Sequence, residues 1–264
     1  MKIFPMFVSL AMVSAAQGAT HSGHAAAELI VASKTYEAAK PVDAAIRITV
    51  DPGWHTYWTN PGEGGMKLNV EWQLPEGWKA SEIGWPVPVR FMTGDLPGFG
   101  YLGELVLPVT LIPPASAKGP AKIALKVDWL TCNDSACVPG DAALDLSLVP
   151  GSPAPTPAAP VIATAKGKVP APLAGLKLEV KDADKNLVLT LAAPKDANPA
   201  AFAVFQATPQ VVDPAAKIVF AKSGDEWTAT VPKSEYLSGA AKTLDLVLDG
   251  GGLAHPATVS WSQK

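Results

Sequence analysis

The chain has 264 residues, 48% of them hydrophobic, and a formal net charge of -3. That length and apolar content fit one large domain or two ordinary ones and exclude a disordered chain. Without an excess of basic residues there is no electrostatic footprint for nucleic acid or anionic lipid, so nucleic-acid binding is set aside.

Met1 to Ala19 combines Lys2, an apolar run from Ile3 to Val13 and small residues at Ser14, Ala15, Ala16, Gly18 and Ala19. This is the pattern of a secretory signal, residues 1–19, with cleavage expected between Ala16 and Thr20. The run is too short to span a bilayer, and no later stretch reaches the roughly 18 apolar residues that a membrane helix needs. The mature chain is therefore expected to have no transmembrane segment and to work in an oxidising exported compartment, a bacterial periplasm. No cysteine follows the cleavage region, which argues against a lipid anchor. His21 and His24 come next; without further ligand spacing they read as a frayed polar N-terminus rather than a metal site.

Ala45–Val50 alternates and stops at Asp51-Pro52-Gly53, as a strand does. The segment from Gly53 to Met66 is dense in aromatics, with Trp54, Tyr57 and Trp58 around His55, and ends in glycines that lack the Lys-Ser/Thr pair of a phosphate loop. Leu68–Trp72 is a further strand, and the alternating prolines of Trp85-Pro86-Val87-Pro88 force extended chain. Gly98-Phe99-Gly100-Tyr101-Leu102-Gly103 reads as a flexible loop tipped with two aromatics, leading into a strand at Leu105–Leu111. The class is all-β.

The two cysteines fall in Trp129-Leu130-Thr131-Cys132-Asn133-Asp134-Ser135-Ala136-Cys137. Ile123, Leu125, Val127 and Trp129 alternate on one side, and Leu144, Leu146 and Leu148 on the other, so the pair is predicted near the turn of a hairpin. A bridge closing about six residues contributes about 2 kcal/mol in the chain-entropy model, against well over 4 for a loop of about a hundred. That makes a poor staple, yet a lone pair in an exported protein is also the pattern of a structural disulfide, and the residues alone leave both readings open. No cation and no helix N-terminus is visible to favour a thiolate. Asp128, Asp134 and Asp141 surround the pair instead and are expected to raise the thiol pKa.

From Pro150 to Pro172 the composition turns to proline, alanine, serine and threonine, which predicts a semi-rigid extended linker at residues 150–172. Residues 173–264 then show about seven short alternating runs, including Leu187–Leu191, Ile218–Phe220 and Leu244–Leu248, as a second, smaller β-sandwich would. Its histidine, His255, is assigned a structural role.

Three segments carry a resemblance. Pro52-Gly53-Trp54-His55-Thr56-Tyr57-Trp58, Phe99-Gly100-Tyr101-Leu102-Gly103-Glu104 with Leu107-Pro108-Val109-Thr110, and Cys132 to Cys137 with Val138-Pro139-Gly140 occur in this order. Residues 26–149 thereby resemble the N-terminal periplasmic domain of the thiol:disulfide interchange protein DsbD and its relatives linked to copper tolerance. The resemblance implies an immunoglobulin-like domain with a redox-active cysteine pair. Cys137 would form mixed disulfides, Cys132 would resolve them, Phe99 and Tyr101 would form a cap, and His55 and Tyr57 would lie beside the site. It implies a membrane-embedded or thioredoxin-like electron donor and oxidised periplasmic proteins as substrates, with no cofactor and no metal. The chain carries no membrane electron-carrying domain, so reductant is expected from a separate partner. The alternative is a non-catalytic periplasmic module that binds protein or copper and keeps a structural disulfide. A hydrolase is set aside, because His55 has no nucleophile at usable spacing.

Overall fold

The computed structural model describes residues 18–224 and 226–263; residues 1–17 of the expected signal segment lie outside them. The first half contributes β1 (Thr20–Ser22), β2 (Ala25–Val31), β3 (Thr35–Tyr36), β4 (Val42–Val50), β5 (Thr56–Gly62), β6 (Asn69–Gln73), β7 (Lys79–Ala80), β8 (Val89–Thr93), β9 (Leu96–Tyr101), β10 (Glu104–Ile112), β11 (Ala121–Cys132) and β12 (Cys137–Pro150). One sheet has the order β1-β2-β4-β10-β7, and a second the order β3-β12-β11-β6. Period-two alternation puts Ile46 and Ile48 of β4, Leu105 and Leu107 of β10, and Leu125, Val127 and Trp129 of β11 into one core between the sheets. Each such side chain contributes about 1.5–3 kcal/mol on burial. A third sheet, β5-β9-β8, stands at the end where the cysteines are.

The segment that carries His21 and His24 is not frayed. Thr20–Ser22 pairs with Ala25–Ala27, and both His21 Nε2 (3.0 Å) and His24 Nδ1 (3.3 Å) reach the carboxylate of Asp51. His24 also stacks on Trp54 with ring centroids 3.8 Å apart. Among the described residues no group of three or more His, Cys, Asp or Glu is placed to hold a metal ion.

The second half forms β13 (Ala171–Pro172), β14 (Lys177–Ala183), β15 (Asn186–Ala192), β16 (Phe202–Gln206), β17 (Ala221–Ser223), β18 (Glu226–Pro232), β19 (Thr243–Gly250) and β20 (Ala257–Ser262). These make two further sheets, β13-β20-β19-β16 and β14-β15-β18-β17, around a core that includes Leu187, Leu189, Leu191, Leu244, Leu246 and Leu248. Ile218 and Phe220 are core residues, but the strand expected there forms just beyond them, at Ala221–Ser223. Phe205 and Val247, opposite each other on β16 and β19, point out of this sandwich and into the core of the first, alongside Trp58 and Phe99.

The Pro/Ala-rich segment is not extended throughout. Helix α1 (Ala159–Gly167) packs on β10 and β4 and buries Ile162 and Ala165. Pro160 falls in the first turn, where its missing N–H costs nothing, and alanines fill the rest; a proline count alone hides that asymmetry. Lys166 in the last turn donates to both carboxylate oxygens of Asp43, each at 2.8 Å. Among the described residues no helix is long and apolar enough to cross a membrane. Ile162 is 1% exposed, so Ile162→Ala is expected to cost about 2–4 kcal/mol of unfolding free energy in urea titration. An unanchored linker would show no change.

Candidate redox site

The β11–β12 ladder runs in unbroken register from Ala121↔Leu148 to Cys132↔Cys137, and its last pair is a disulfide. The Cα atoms of that pair are 4.1 Å apart. Such close approach belongs to a non-hydrogen-bonded antiparallel pair, and the backbone bond lies one step further out, from Asn133 N–H to the Ala136 carbonyl (2.9 Å). Asn133 closes the turn because its Oδ1 accepts the N–H groups of Ser135 and Ala136, each at 2.8 Å. On the opposite strand face Trp129 lies over Gly140, where an added Cβ would come within 2.5 Å of the indole nitrogen.

The other edge of Cys132 is taken by His55. The two residues exchange both backbone hydrogen bonds, His55 N–H to Cys132 O at 2.9 Å and Cys132 N–H to His55 O at 3.0 Å. Directly opposed residues of antiparallel strands put their side chains on one face, so the imidazole neighbours the Cys132 sulfur. The two sulfurs differ in access: Cys132 is wholly buried, whereas Cys137 is exposed.

His55 is itself enclosed. Its Nε2 is 3.0 Å from Thr93 Oγ1 and 3.3 Å from the Tyr57 hydroxyl, and the Phe91 ring tilts over it at a centroid distance of 3.9 Å. Burial holds its pKa below the ordinary histidine value, with the Asp134 carboxylate pulling the other way. Burial pushes the Tyr57 phenol up, the Thr93 hydroxyl opposing. The cluster is thus a set of neutral proton carriers next to the buried sulfur. Of the three carboxylates expected around the pair, Asp134 is in the turn, while Asp128 and Asp141 face each other four residues down the ladder. At about 3.3 Å per residue that is about 13 Å, beyond the screening length at physiological salt.

The structure brings His55, Tyr57, Cys132 and Cys137 together. It does not bring Phe99 and Tyr101 to an exposed loop tip. Both are strand residues of β9, 0% and 7% exposed, and their side chains point into the core; the Tyr101 hydroxyl donates to the Pro86 carbonyl at 2.8 Å. The flanking glycines serve close packing rather than flexibility. A Cβ on Gly100 would lie 1.9 Å from the Thr56 carbonyl, and one on Gly98 would lie 2.4 Å from the Phe91 ring. The residues that cover His55 are Phe91 and Thr93, on the other face of the same β8–β9 hairpin. Sequence reading passed over them, although Thr93-Gly94-Asp95-Leu96 carries a hairpin signal: a two-residue loop with glycine first, here at φ 59°.

Residues 26–148 match the family model described as thiol:disulfide interchange protein DsbD, N-terminal. None of the curated proteins matches the chain. Among solved structures, the N-terminal periplasmic domain of ScsB from Proteus mirabilis is similar at 22% identity and a TM-score of 0.67, over 90% of this chain and 93% of that one. At that identity the likeness speaks for the fold, and it extends over both sandwiches, the first of immunoglobulin-like type. The YadV chaperone (12% identity, TM-score 0.22, 89% of this chain and 100% of that one) and the sporulation control protein Spo0M from Bacillus subtilis (11%, 0.26, 91% and 91%) reach TM-scores that carry no argument.

Because the folded pKa of His55 lies below its unfolded value, the unfolded chain takes up the proton first as pH falls. The stabilisation from the neutral ring is complete above about pH 6.5 and is lost as pH drops from there toward the folded pKa. An NMR titration is expected to place the His55 imidazole below its ordinary value, and Asp134→Asn is expected to lower it further. A ring titrating at or above the ordinary value would contradict the enclosure described.

Proposed function

Residues 26–148 of this chain belong to the DsbD N-terminal family of thiol:disulfide interchange domains, and from that premise we propose that the protein is a periplasmic exchange component. It accepts electrons from a membrane-embedded or thioredoxin-like donor and passes them to oxidised protein partners. The observation that carries the reading is the asymmetry of the disulfide: Cys137 is open to solvent and Cys132 is sealed. A structural bridge across so short a turn has no need of one accessible sulfur or of a proton-carrying cluster at the other.

In the loading step a donor thiolate attacks the Cys137 sulfur, the Cys132–Cys137 bond breaks, and Cys132 leaves with the electron pair. A thiolate formed in that buried position is poorly solvated, so it is driven to take a proton. The His55, Tyr57 and Thr93 cluster is placed to supply or relay it. The donor's second thiol then attacks the mixed disulfide, releasing the donor as a disulfide and this domain as a dithiol. Delivery follows the same path in reverse: Cys137 attacks the partner's disulfide, and Cys132 resolves the mixed disulfide by attack on Cys137. Two electrons and two protons move in each half-reaction, and no cofactor enters.

Replacing the buried sulfur while keeping the exposed one tests this directly. Cys132→Ser is expected to accumulate partner proteins linked through Cys137 in the periplasm, released by reductant and identifiable by mass spectrometry, whereas Cys137→Ser captures none because Cys132 is out of reach. An empty trap with Cys132→Ser, while the cell's donor system is running, would leave the protein as a binding module with a structural disulfide.

A further inference from the structure

The second sandwich meets the β8–β9 hairpin that covers His55 through Arg90 and through the contact of Phe205 with Phe99. β16 is the edge strand of its sheet, so the carbonyls of alternate residues face away from β19 without a ladder partner. Two of them are capped by the first domain: Asn60 Nδ2 donates to the Gln206 carbonyl at 2.8 Å, and Arg90 Nη2 donates to the Val204 carbonyl at 3.1 Å. The Nη1 of Arg90 donates to the Pro214 carbonyl, also at 3.1 Å. Its guanidinium lies 4.7 Å from the ring centroid of Phe99 and 5.5 Å from that of Phe205, and thus between one aromatic of each sandwich. Among the described residues Arg90 has no carboxylate within ion-pair distance.

Arg90 is followed by Phe91 on β8, and neighbours on a strand face opposite ways. Arg90 faces the second sandwich; Phe91, with Thr93 two residues on, faces His55. The hairpin is therefore a partition one strand thick, held on one side by the second sandwich and closing the Cys132 side of the disulfide on the other. Besides Arg90, the hairpin is held by Phe99 and Tyr101 of β9 in the core and by the Glu63 N–H bond to the Pro97 carbonyl at 2.9 Å. It is also held by the pairing of β9 with β5 at Thr56, Tyr57 and Gly62, which is interrupted between Tyr57 and Gly62.

We propose that the second sandwich is a clamp on the β8–β9 hairpin, with Arg90 as the positioning residue that transmits its hold to the redox site. The role assigned to the hairpin rests on the exchange reading above; the mechanical coupling does not. With the clamp engaged, Cys132 must leave into the buried space beside His55 and Phe91, where an emerging thiolate is poorly solvated and departs slowly. With the hairpin free, water reaches the departing sulfur and exchange speeds up. A partner that displaces the hairpin, or loosens the second sandwich from it, thereby gains a reactive disulfide that a small thiol does not.

The test uses the full mature chain with Arg90→Met, which keeps length and packing but loses the forked donors, and Phe205→Leu, which acts from the second sandwich. Three readouts are taken: the rate of reduction of Cys132–Cys137 by excess dithiothreitol, amide hydrogen exchange across residues 89–101, and the thermal midpoint. Either variant is expected to reduce about tenfold faster, equivalent to about 1.4 kcal/mol, with faster exchange in 89–101 and unchanged exchange in β11 and β12. Arg90→Lys retains the charge without the fork and is expected to fall between Met and wild type. Unchanged reduction and hairpin exchange in a folded variant would overturn the clamp, as would equal loosening of β11 and β12. Should Arg90→Met not fold, Phe205→Leu decides. A Cys132→Ser trap that captures no partner would end the exchange reading while leaving these rates to be judged on their own.

Discussion

Cys132 is held by backbone pairing on both of its edges, and the rest of the site depends on that double constraint. The ladder to β12 sets it across from Cys137, and the exchange of two hydrogen bonds with His55 fixes β5 alongside it. Side chains alternate along a strand, so a slip of one residue in either pairing would turn Cys132 to the opposite face or put Thr56 in the place of His55. The register is anchored well away from the turn, by Leu125, Val127 and Trp129 facing the core and by the Trp129–Gly140 contact, so the reactive end inherits its geometry from the sandwich.

From this register follows the inequality of the two sulfurs. Cys132, flanked on both sides by strand, is sealed; Cys137, at the start of β12 beyond an Asn-closed turn, is open. Burial around Cys132 also keeps its neighbours neutral, because His55 and Tyr57 are each displaced toward their uncharged forms by desolvation. Among the described residues such a site holds no standing positive charge to stabilise a thiolate. Under the exchange proposed above, such a site favours reaction inside a docked complex over indiscriminate exchange with thiols and disulfides in solution.

The same economy of strands joins the two sandwiches. Phe205 and Val247 complete a core that belongs mainly to the first domain, and Arg90 and Asn60 satisfy edge carbonyls that would otherwise be buried without partners. Helix α1 pins the connecting segment to β4 and β10. The second domain is thus packed against the element that covers His55, rather than tethered at a distance from it.

Much of this was legible in the chain itself. Period-two alternation, turn residues and alternate prolines give the all-β class, the hairpin with a cysteine in each arm, and the placing of His55 and Tyr57 beside them by resemblance. These are local patterns, and local patterns survive without knowledge of the rest of the fold. What the chain could not disclose depends on which side of a strand meets which distant surface. Phe99 and Tyr101 carry the same sequence signature whether they tip a loop or fill a core, and only the packing of β9 against Phe205 and Trp58 decides between them. Phe91 and Thr93 become the cover of His55, and Arg90 the tie to the second sandwich, through contacts between residues more than thirty and more than a hundred positions apart. Alternation tells that two neighbours face opposite ways; the tertiary structure alone tells what each of them faces.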